Sequence, residues 1–368
     1  MDAGLNIAFF GSSLVSAYWN GAATYYRGIV KALAARGHKI TFYEPDAYGR
    51  QQHRDIPEPP WAKVAVYEAT EEAAFRSLEN ARNADLIIKA SGVGVFDELL
   101  EQSVLNLKNE KRNIAFWDVD APATLDRVRG NPADHFRGLV PLYDFIFTYG
   151  GGGPVINAYK EFGAKNCFPI YNALDPSTHF PVSPLKKFES DLSFLGNRLP
   201  DREARVEEFF LKAAALAKDK RFLLGGNGWA GKPVPQNVSY IGHVYTAGHN
   251  AFNCSSLAVL NISRESMARY GFSPATRVFE AAGAGACIIT DNWEGIGLFL
   301  EPDTEVLVVN SGEEVAERLN GLTPLRARAI GQASFRRVLS EHTYAHRAIE
   351  FEKALGFDRH KTTLCAGR

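Results

Sequence analysis

One motif occurs twice, once in each half of the chain, and it constrains the fold more than any other feature. Residues 6–13 form a short apolar run that turns at Gly11, and residues 191–198 repeat it with Gly196 at the equivalent place, 185 positions later. A segment with helical periodicity follows each run, over 22–36 and over about 201–218. A strand, a glycine turn and a helix open a doubly wound parallel sheet. The repeat therefore predicts an α/β protein with two Rossmann-like domains.

Short apolar runs that alternate with helical segments predict the remaining strands. They lie at 39–43, 86–90, 114–117, 145–148 and 167–170 in the first half, and at 222–225, 238–241, 257–262, 286–290 and 306–309 in the second. Runs of this kind are typical of parallel sheets that are covered on both faces. We expect the two sheets to face each other across a cleft, which is the usual place for a ligand.

The length of 368 residues suits two domains. Residues 173–190 hold three prolines and little periodicity, so we predict a linker there, between domains at 1–172 and 191–341. The end of the chain, 342–368, is predicted to be helical over about 342–355 and is a candidate for joining the first domain.

The overall composition excludes several classes of protein. A formal net charge of -1 provides no field that attracts nucleic acid or an anionic membrane. The four cysteines, Cys167, Cys254, Cys287 and Cys365, are far apart, which suits reduced thiols and gives neither a disulfide framework nor a zinc site. We see no signal-peptide pattern and no apolar run long enough to span a bilayer, and therefore expect a cytoplasmic protein.

The run Ser-Pro-Ala-Thr-Arg at 273–277 predicts a helix start that can bind an anion. Ser273 is a favoured N-cap and the proline after it suits the first helical position. Free N–H groups around Thr276 would then attract an anion such as a diphosphate. Arg277 adds a bidentate donor, and Glu280 could accept hydrogen bonds from a ribose. The alternative is an ordinary capped helix with a surface arginine and glutamate.

Other candidate donor-binding residues follow the predicted strands of the second half, because ligands of open α/β sheets bind beyond the carboxyl ends of the strands. They are Gly196, Asn197 and Arg198, then Gly226 and Trp229, then Gly242, His243 and Val244, and finally Asn261 and Arg264. We expect Arg198, with Arg202 nearby, to point into the cleft, and Arg264 to lie nearest the leaving phosphate. Trp229 could line a base or sugar pocket, and the backbone around His243 could bind a nucleobase edge. The alternatives are a plain turn, a flexible hairpin and a structural histidine.

Candidate acceptor-side residues follow strands of the first half. Gly11 and Ser12 end the first strand, and Gly151 and Gly152 belong to a bare glycine run that allows close approach of a sugar. Asp118 and Asp120 lie two residues apart at a strand end and would point the same way. Because like charges raise one pKa, such a pair could act as a general base. It could equally bind sugar hydroxyls or cap the next helix.

Several chemistries lack their motifs. The sequence contains no G-x-S-x-G, no H-E-x-x-H, no Walker lysine loop and no complete G-x-G-x-x-G after the first strand. His342 and His346 are four apart but have no evident third ligand, so no metal site is expected.

Five segments resemble the spore-maturation-type (CgeB-like) glycosyltransferases of the GT-B superfamily. They are LNISR at 260–264, GFSPATRVFEAA at 271–282, WDVDAP at 117–122, YNALDP at 171–176 and FLGNR at 194–198. The resemblance, over about residues 5–355, implies an acceptor in the N-terminal domain and a nucleotide-sugar in the C-terminal one. It also implies a leaving diphosphate stabilised without a bound metal.

The resemblance also bears on single residues. Glu280 matches the acidic residue that holds the donor ribose in related transferases, whereas the acidic residue usual eight positions earlier is replaced by Phe272. We therefore assign no stereochemistry.

The expected function is transfer of a sugar from a nucleotide-diphosphate donor to an acceptor hydroxyl, with no tightly bound cofactor and no nucleic-acid partner. Asp118, Asp120 and Arg264 are the expected catalytic residues. The alternatives are a nucleotide-sugar epimerase and a non-catalytic sugar-binding protein.

Overall fold

The computed structural model describes residues 4–357. In it, the first half of the chain forms one parallel sheet of seven strands. Its strands are β1 (Asn6–Phe10), β2 (Lys39–Asp46), β3 (Lys63–Glu68), β4 (Leu86–Ala90), β5 (Asn113–Asp118), β6 (Phe145–Thr148) and β7 (Cys167–Pro169). Their order across the sheet is β3-β2-β1-β4-β5-β6-β7. All five residues of β4 are buried, as expected for a strand covered on both faces.

The second half forms a separate parallel sheet of six strands. They are β8 (Ser190–Leu195), β9 (Phe222–Gly225), β10 (Val238–Tyr240), β11 (Ser256–Asn261), β12 (Ile288–Asp291) and β13 (Leu307–Val309). Their order is β10-β9-β8-β11-β12-β13. Both sheets therefore follow the strand order of the doubly wound fold. The order in which the chain adds strands reverses between β1 and β4 in the first sheet and between β8 and β11 in the second, while all strands stay parallel. The predicted fold class is confirmed.

Helices connect the strands in both halves. In the first half they are α1 (Ala23–Ala35), α2 (Glu71–Asn80), α3 (Asp97–Ser103), α4 (Ala121–Gly130), α5 (His135–Leu139) and α6 (Gly152–Glu161). In the second they are α7 (Pro200–Val206), α8 (Lys212–Leu216), α9 (His249–Ser255), α10 (Glu265–Tyr270), α11 (Thr276–Gly283), α12 (Gly312–Asn320) and α13 (Pro324–Glu341), and α14 (Tyr344–Ala354) follows. Among residues 4–357, no helix is both long and apolar enough to cross a membrane.

Two local features differ from the prediction. Strand β3 was not expected, because it is an edge strand whose residues are mostly half-buried or exposed, so it lacks a buried apolar run. The single helix expected over about 201–218 is divided, because a π-helical turn at Glu207–Leu211 separates α7 from α8.

The chain divides into two compact units, and one of them is built from two separate stretches of the chain. Unit 2 spans Asn172–Thr343, and unit 1 combines Met1–Tyr171 with the segment that starts at Tyr344. The predicted linker, 173–190, lies inside unit 2, where the backbone N–H of Leu174 donates to His342 O at 2.8 Å.

Helix α14 belongs to unit 1. A Cβ atom on Gly28 of α1 would lie 2.1 Å from the ring of Tyr344, so the two helices touch at a glycine. Phe351 packs on Trp117 of β5 with ring centroids 5.4 Å apart. The rest of the predicted C-terminal segment, including Cys365, lies outside the described residues.

Candidate functional site

Two arginine side chains of unit 2 meet at Gly196, directly after β8. A Cβ atom on Gly196 would lie 3.0 Å from Nη1 of Arg202 and 3.1 Å from Nη2 of Arg277. Arg202 is supplied by α7 and Arg277 by the first turn of α11. The site lies at the carboxyl end of β8, which is next to the reversal between β8 and β11, where doubly wound sheets bind their ligands.

Neutral groups hold the guanidinium of Arg277. It donates to Asn261 Oδ1 at 3.2 Å and to the main-chain oxygen of Leu195, and it lies 4.9 Å above the ring of Phe194. Burial, and then the charge of Arg202, lower the pKa of Arg277 to about 9, so it remains a cation at neutral pH. Since both guanidinium groups carry a positive charge, an anion that contacts both would relieve their repulsion.

The start of α11 differs from the prediction. Ser273 is not the N-cap, because Ala275 occupies that position and makes no side-chain cap. Ser273 is instead 4 % exposed, and its Oγ makes no hydrogen bond within the described chain. The helix begins at Thr276, so the N–H groups of Thr276 and Arg277 have no partner inside the helix. The structure therefore has a helix start here, as predicted, two residues later than its predicted first residue; anion binding at it stays a prediction.

Phe272, which stands where related transferases usually have an acidic residue, has a strained backbone. Its φ is 46°, in the left-handed region, and its N–H donates to Glu294 O at 2.5 Å. A Cβ atom on Gly295 would lie 2.3 Å from the ring of Phe272, so this ring packs on a glycine.

The glycine loop after β9 supports the Gly196 turn. A Cβ atom on Gly226 would lie 2.2 Å from Gly196 O, and the φ of Gly226 is 117°. The N–H of Asn227 donates to Asn197 Oδ1 at 2.9 Å, which joins the two loops. Gly226 and Asn197 are therefore needed for packing between loops, whether or not they touch a ligand.

Trp229 does not fit the predicted pocket role. It is 2 % exposed within the apolar core of unit 2, and its Nε1 donates to Gly196 O at 2.8 Å. The buried indole cannot stack on a base or sugar; it positions the Gly196 turn.

Two other predicted arginines are engaged by carboxylates. Nε and Nη2 of Arg198 donate to Glu203 at 2.8 and 2.7 Å, so this edge of its guanidinium is occupied by a carboxylate. Nε of Arg264 donates to Asp201 at 2.6 Å. Either side chain would have to exchange that partner in order to bind a phosphate.

The loop after β10 has mixed exposure. His243 is exposed and packs edge-on against Tyr245 with centroids 4.6 Å apart. Val244 is buried, and its main-chain oxygen faces Nε2 of His249 at 3.2 Å. Gly242 has a φ of 72° and nothing within 4 Å of a Cβ position, so its backbone can be approached closely.

Glu280 lies beside two histidines. Its Oε1 is 3.9 Å from Nε2 of His179, and one ligand atom each from His179, His249 and Glu280 lie within 4.8 Å of one another. This is the group with metal-ligand chemistry among residues 4–357. Burial is the main cause that lowers the pKa of His249, which keeps its imidazole neutral at physiological pH. The three side chains could accept hydrogen bonds from a diol, or ligate a metal ion.

Asp118 of unit 1 does not fit the predicted role of a catalytic base. It is fully buried, and its carboxylate accepts from Ser91 Oγ at 2.8 Å, Thr124 Oγ1 at 3.1 Å and Tyr159 OH at 2.5 Å. Burial raises the pKa of Asp118, although the hydrogen bonds oppose that shift. The side chain holds the β5–α4 turn together. Asp120, two residues on, is half-buried.

The four predicted acceptor-side residues are buried as well. A Cβ atom on Gly11 would lie 2.4 Å from the ring of Phe42, and Ser12 donates to Asn20 Oδ1 at 2.9 Å. Gly151 and Gly152 have φ values of 92° and 46° at the start of α6, and both are buried. These residues therefore shape turns, and none of them presents an open surface.

The prediction did not assign two residues that shape the site. Arg202 lies beside the glycine turn in sequence, but no local pattern predicts its role, because its approach to Arg277 depends on packing. Asp291 is fully buried at the end of β12, where it accepts from Ser263 N at 3.1 Å and from Arg205 at 2.6 Å. A polar residue at the end of a buried strand is the signal that could have identified it.

Known proteins share this architecture. Residues 202–353 match a family model described as "Glycosyl transferase-like". Sucrose-phosphate synthase from Thermosynechococcus elongatus is 14% identical over 99% of this chain and 100% of that chain, with a TM-score of 0.69. Anabaena HepE, in complex with UDP and glucose, is 12% identical over 96% and 99%, with a TM-score of 0.66.

An α-glucosyltransferase in complex with UDP-glucose and DNA containing an abasic site is 13% identical over 96% of this chain and 100% of that chain, with a TM-score of 0.71. No curated protein sequence matches the chain. At these identities the structural likeness establishes the fold. The chain thus has the GT-B fold of these glycosyltransferases, and its residues 202–353 match a glycosyl transferase-like family model.

Proposed function

We propose that this protein transfers a sugar from a nucleoside-diphosphate donor to an acceptor hydroxyl. The observation that carries the proposal is the meeting of Arg202 and Arg277 at Gly196. Two cations and a helix start at one strand end favour a ligand with two adjacent negative charges. A diphosphate has that charge and that size.

The chemistry that such a site supports is stabilisation of a leaving group. When the bond to the sugar breaks, negative charge grows on the diphosphate, and fixed positive groups lower the energy of that state. Arg277 is held by Asn261 and Leu195 before any ligand arrives, so little reorganisation is needed. Arg264 and Arg198 would add to this charge only after leaving Asp201 and Glu203.

The nucleoside would lie further along α11. The carboxylate of Glu280 makes no hydrogen bond within residues 4–357, so it is available to ribose hydroxyls. There is open space beside Gly242 for a nucleobase edge, whereas the main-chain oxygen of Gly242 already accepts from the N–H of Gly226 at 2.7 Å. UDP is the first nucleotide to test, because HepE and the α-glucosyltransferase are solved in complex with UDP or UDP-glucose.

Three finer statements belong to the same proposal. The CgeB-like subtype rests on the five sequence segments named above, and a cytoplasmic location rests on separated thiols such as Cys167 and Cys287. Transfer without a bound metal rests on the arginine pair, which can replace the charge of a cation. For the acceptor we keep Asp120 as the candidate base and withdraw Asp118.

The experiment is a thermal-shift titration of the whole protein with UDP, GDP, ADP and CDP, followed by a nucleotide-release assay with the matching nucleotide-sugar. A ligand at 100 times its Kd adds about 2.7 kcal/mol of stability. We expect one nucleoside diphosphate to raise the melting temperature of the wild type and to fail with Arg277→Ala. If nucleotide binding and nucleotide release persist in EDTA, the reaction needs no bound metal. If EDTA abolishes them, a metal ion held by His179, His249 and Glu280 is the next hypothesis. The proposal fails if no nucleoside diphosphate binds and no nucleotide-sugar is cleaved.

A further inference from the structure

Three aromatic residues of unit 1 have left-handed backbones on three different loops. Trp19, Tyr48 and Phe96 have φ values of 48°, 56° and 55°. Their loops follow β1, β2 and β4, which are neighbours in the sheet order. The loops therefore meet at the carboxyl edge of the sheet, at the reversal between β1 and β4, where such folds bind ligands.

The backbone strain at Trp19 is maintained by its surroundings. A bulky residue in this region costs about 1–3 kcal/mol and persists only where other contacts enforce it. Next to Trp19, the buried side chain of Asn20 accepts from Ser12 Oγ at 2.9 Å and donates to Ser13 O at 2.8 Å and Ser16 O at 2.9 Å. The loop is thus fixed at its base.

The fixed loop presents aromatic rings to solvent. Trp19 is 79% exposed and Tyr18 is 42% exposed. Tyr18 stacks on His53 with centroids 4.0 Å apart and meets Trp19 edge-on, with centroids 6.1 Å apart and planes at 76°. These three residues form an aromatic corner: two rings stacked and one set across them. Exposed rings with fixed positions are preorganised to stack on a ligand, because they lose little conformational entropy on binding.

The charges around the aromatic corner favour a neutral ligand. Residues 11–22 contain no charged side chain. Arg27 is paired in a bidentate manner with Asp55 at 2.9 and 2.7 Å. The buried Arg50 donates to Ser12 O at 3.2 Å and Val93 O at 3.0 Å and lies 5.0 Å above the ring of Tyr48. A nucleic acid needs cations for its phosphates, and both of these arginines are committed to other partners. Arg54, next to His53, donates to Gln51 Oε1 at 2.9 and 2.6 Å.

We propose that the aromatic corner of Tyr18, Trp19 and His53 binds a sugar ring of a neutral saccharide acceptor. One face of a pyranose carries C–H bonds whose partial positive charge is attracted to the negative face of an aromatic ring. The hydroxyls at the ring edge stay in water or reach polar groups of the loops. This inference rests on the proposed function, since it names the class of acceptor for that transfer.

The first test measures saccharide binding without any donor. Trp117, Trp229 and Trp293 are buried, so acrylamide quenching of tryptophan fluorescence reports mainly on the exposed Trp19, with a minor part from the half-buried Trp61. We expect a neutral oligosaccharide from a panel of maltose-, cellobiose- and chitobiose-type series to protect this fluorescence. Trp19→Ala should remove the protectable signal. Protection by none of the series would overturn the proposal.

The second test measures the acceptor dependence of transfer. We expect Trp19→Ala to raise the acceptor KM at least tenfold, while kcat, UDP binding and donor hydrolysis stay near the wild-type values. Trp19→Phe should keep the acceptor KM close to that of the wild type, because it retains an aromatic ring. Phe75→Ala is the matched control, because Phe75 is 50% exposed on α2 and outside the aromatic corner. An equal KM for Trp19→Ala and Phe75→Ala would overturn the proposal, as would duplex DNA that protects Trp19 better than any saccharide. Failure of the wild type to bind any nucleoside diphosphate would instead count against the proposed function.

Discussion

The guanidinium of Arg277 donates to the side-chain oxygen of Asn261 at 3.2 Å, which joins the first turn of α11 to the last residue of β11. Asn261 is fully buried and also donates to Thr290 Oγ1 of β12 at 3.0 Å. The position of the arginine is thereby linked to two strands of the sheet. These contacts explain how a long, flexible side chain has a fixed position.

Replacing Arg277 should remove turnover and leave the fold. We expect Arg277→Ala to slow release of nucleoside diphosphate by about 10²–10³, since loss of one fixed donor to a developing negative charge costs about 2.7–4 kcal/mol. Arg277→Lys should recover only part of the rate, because an ammonium lacks the paired geometry of a guanidinium. Arg328→Ala, an exposed change on α13, is the control. Wild-type turnover in Arg277→Ala would exclude Arg277 from the mechanism.

Alanine substitutions at two glycines should show how much of the loss in stability comes from backbone conformation and how much from packing. Gly226 and Gly231 both have positive φ, 117° and 77°, but only Gly226 has an atom, Gly196 O, within 4 Å of a Cβ position. Alanine at either position should cost about 1–2 kcal/mol for the left-handed backbone. Gly226→Ala should cost about 1–3 kcal/mol more, because the methyl group overlaps the Gly196 turn.

Urea unfolding of the two glycine variants gives the difference, and a UDP titration shows whether the displaced Gly196 turn also weakens donor binding. Equal free energies of unfolding for Gly226→Ala and Gly231→Ala would contradict the packing role of Gly226.

The two aspartates after β5 should respond differently to amide substitution. Asp118→Asn should lower stability by about 1–3 kcal/mol, because three hydroxyl donors converge on the buried carboxylate. Asp120→Asn should leave the melting temperature unchanged and lower kcat if Asp120 activates the acceptor. Melting curves and initial rates for both variants decide the matter; normal stability with lost activity in Asp118→Asn would restore it as the candidate base.

The attachment of α14 should depend on pH. Glu352 is 2 % exposed, pairs with Arg36 and faces Nε2 of His38 at 2.9 Å. Burial alone would raise the pKa of Glu352, but the hydrogen bonds from Arg36 and His38 lower it below its usual value of 4.5. A lowered pKa stabilises the fold above about pH 4.5, and this contribution is lost as pH falls through the folded-state pKa.

We therefore expect Glu352→Gln to be less stable than the wild type by about 1–3 kcal/mol at pH 7, with a difference that shrinks below about pH 4.5. Glu350→Gln, on the exposed side of α14, should show a much smaller change. A difference that grows on acidification would mean that the sign is wrong.

Much of the architecture follows from local patterns. The apolar runs predicted twelve of the thirteen strands found among residues 4–357 to within a few residues, because buried parallel strands are continuous and apolar. Strand β3 was missed since an edge strand is only partly buried. The start of α11 was predicted two residues early, because a serine followed by proline is a cap signal whether or not the backbone turns there.

The sequence indicates which residues lie at the strand ends, but it does not indicate what each of them contacts. Glycines and polar side chains after β8, β9 and β11 mark the edge of the sheet at which we place the candidate site, and this prediction depends only on strand direction. Their roles depend on neighbours that are distant in sequence. Trp229 was predicted to line a pocket but is buried, and Asp118 was predicted to be a base but has three hydroxyl partners.

Hydrophobic periodicity and turn residues were enough to specify two doubly wound sheets and the edge of each that can bind a ligand, since both signals are encoded within a few neighbouring residues. Packing alone determined that Arg202 approaches Arg277 across 75 positions of sequence, and that His179 and His249 lie beside Glu280. Such contacts depend on how helices settle on the sheet. No local pattern encodes that arrangement, because it minimises the free energy of the whole unit.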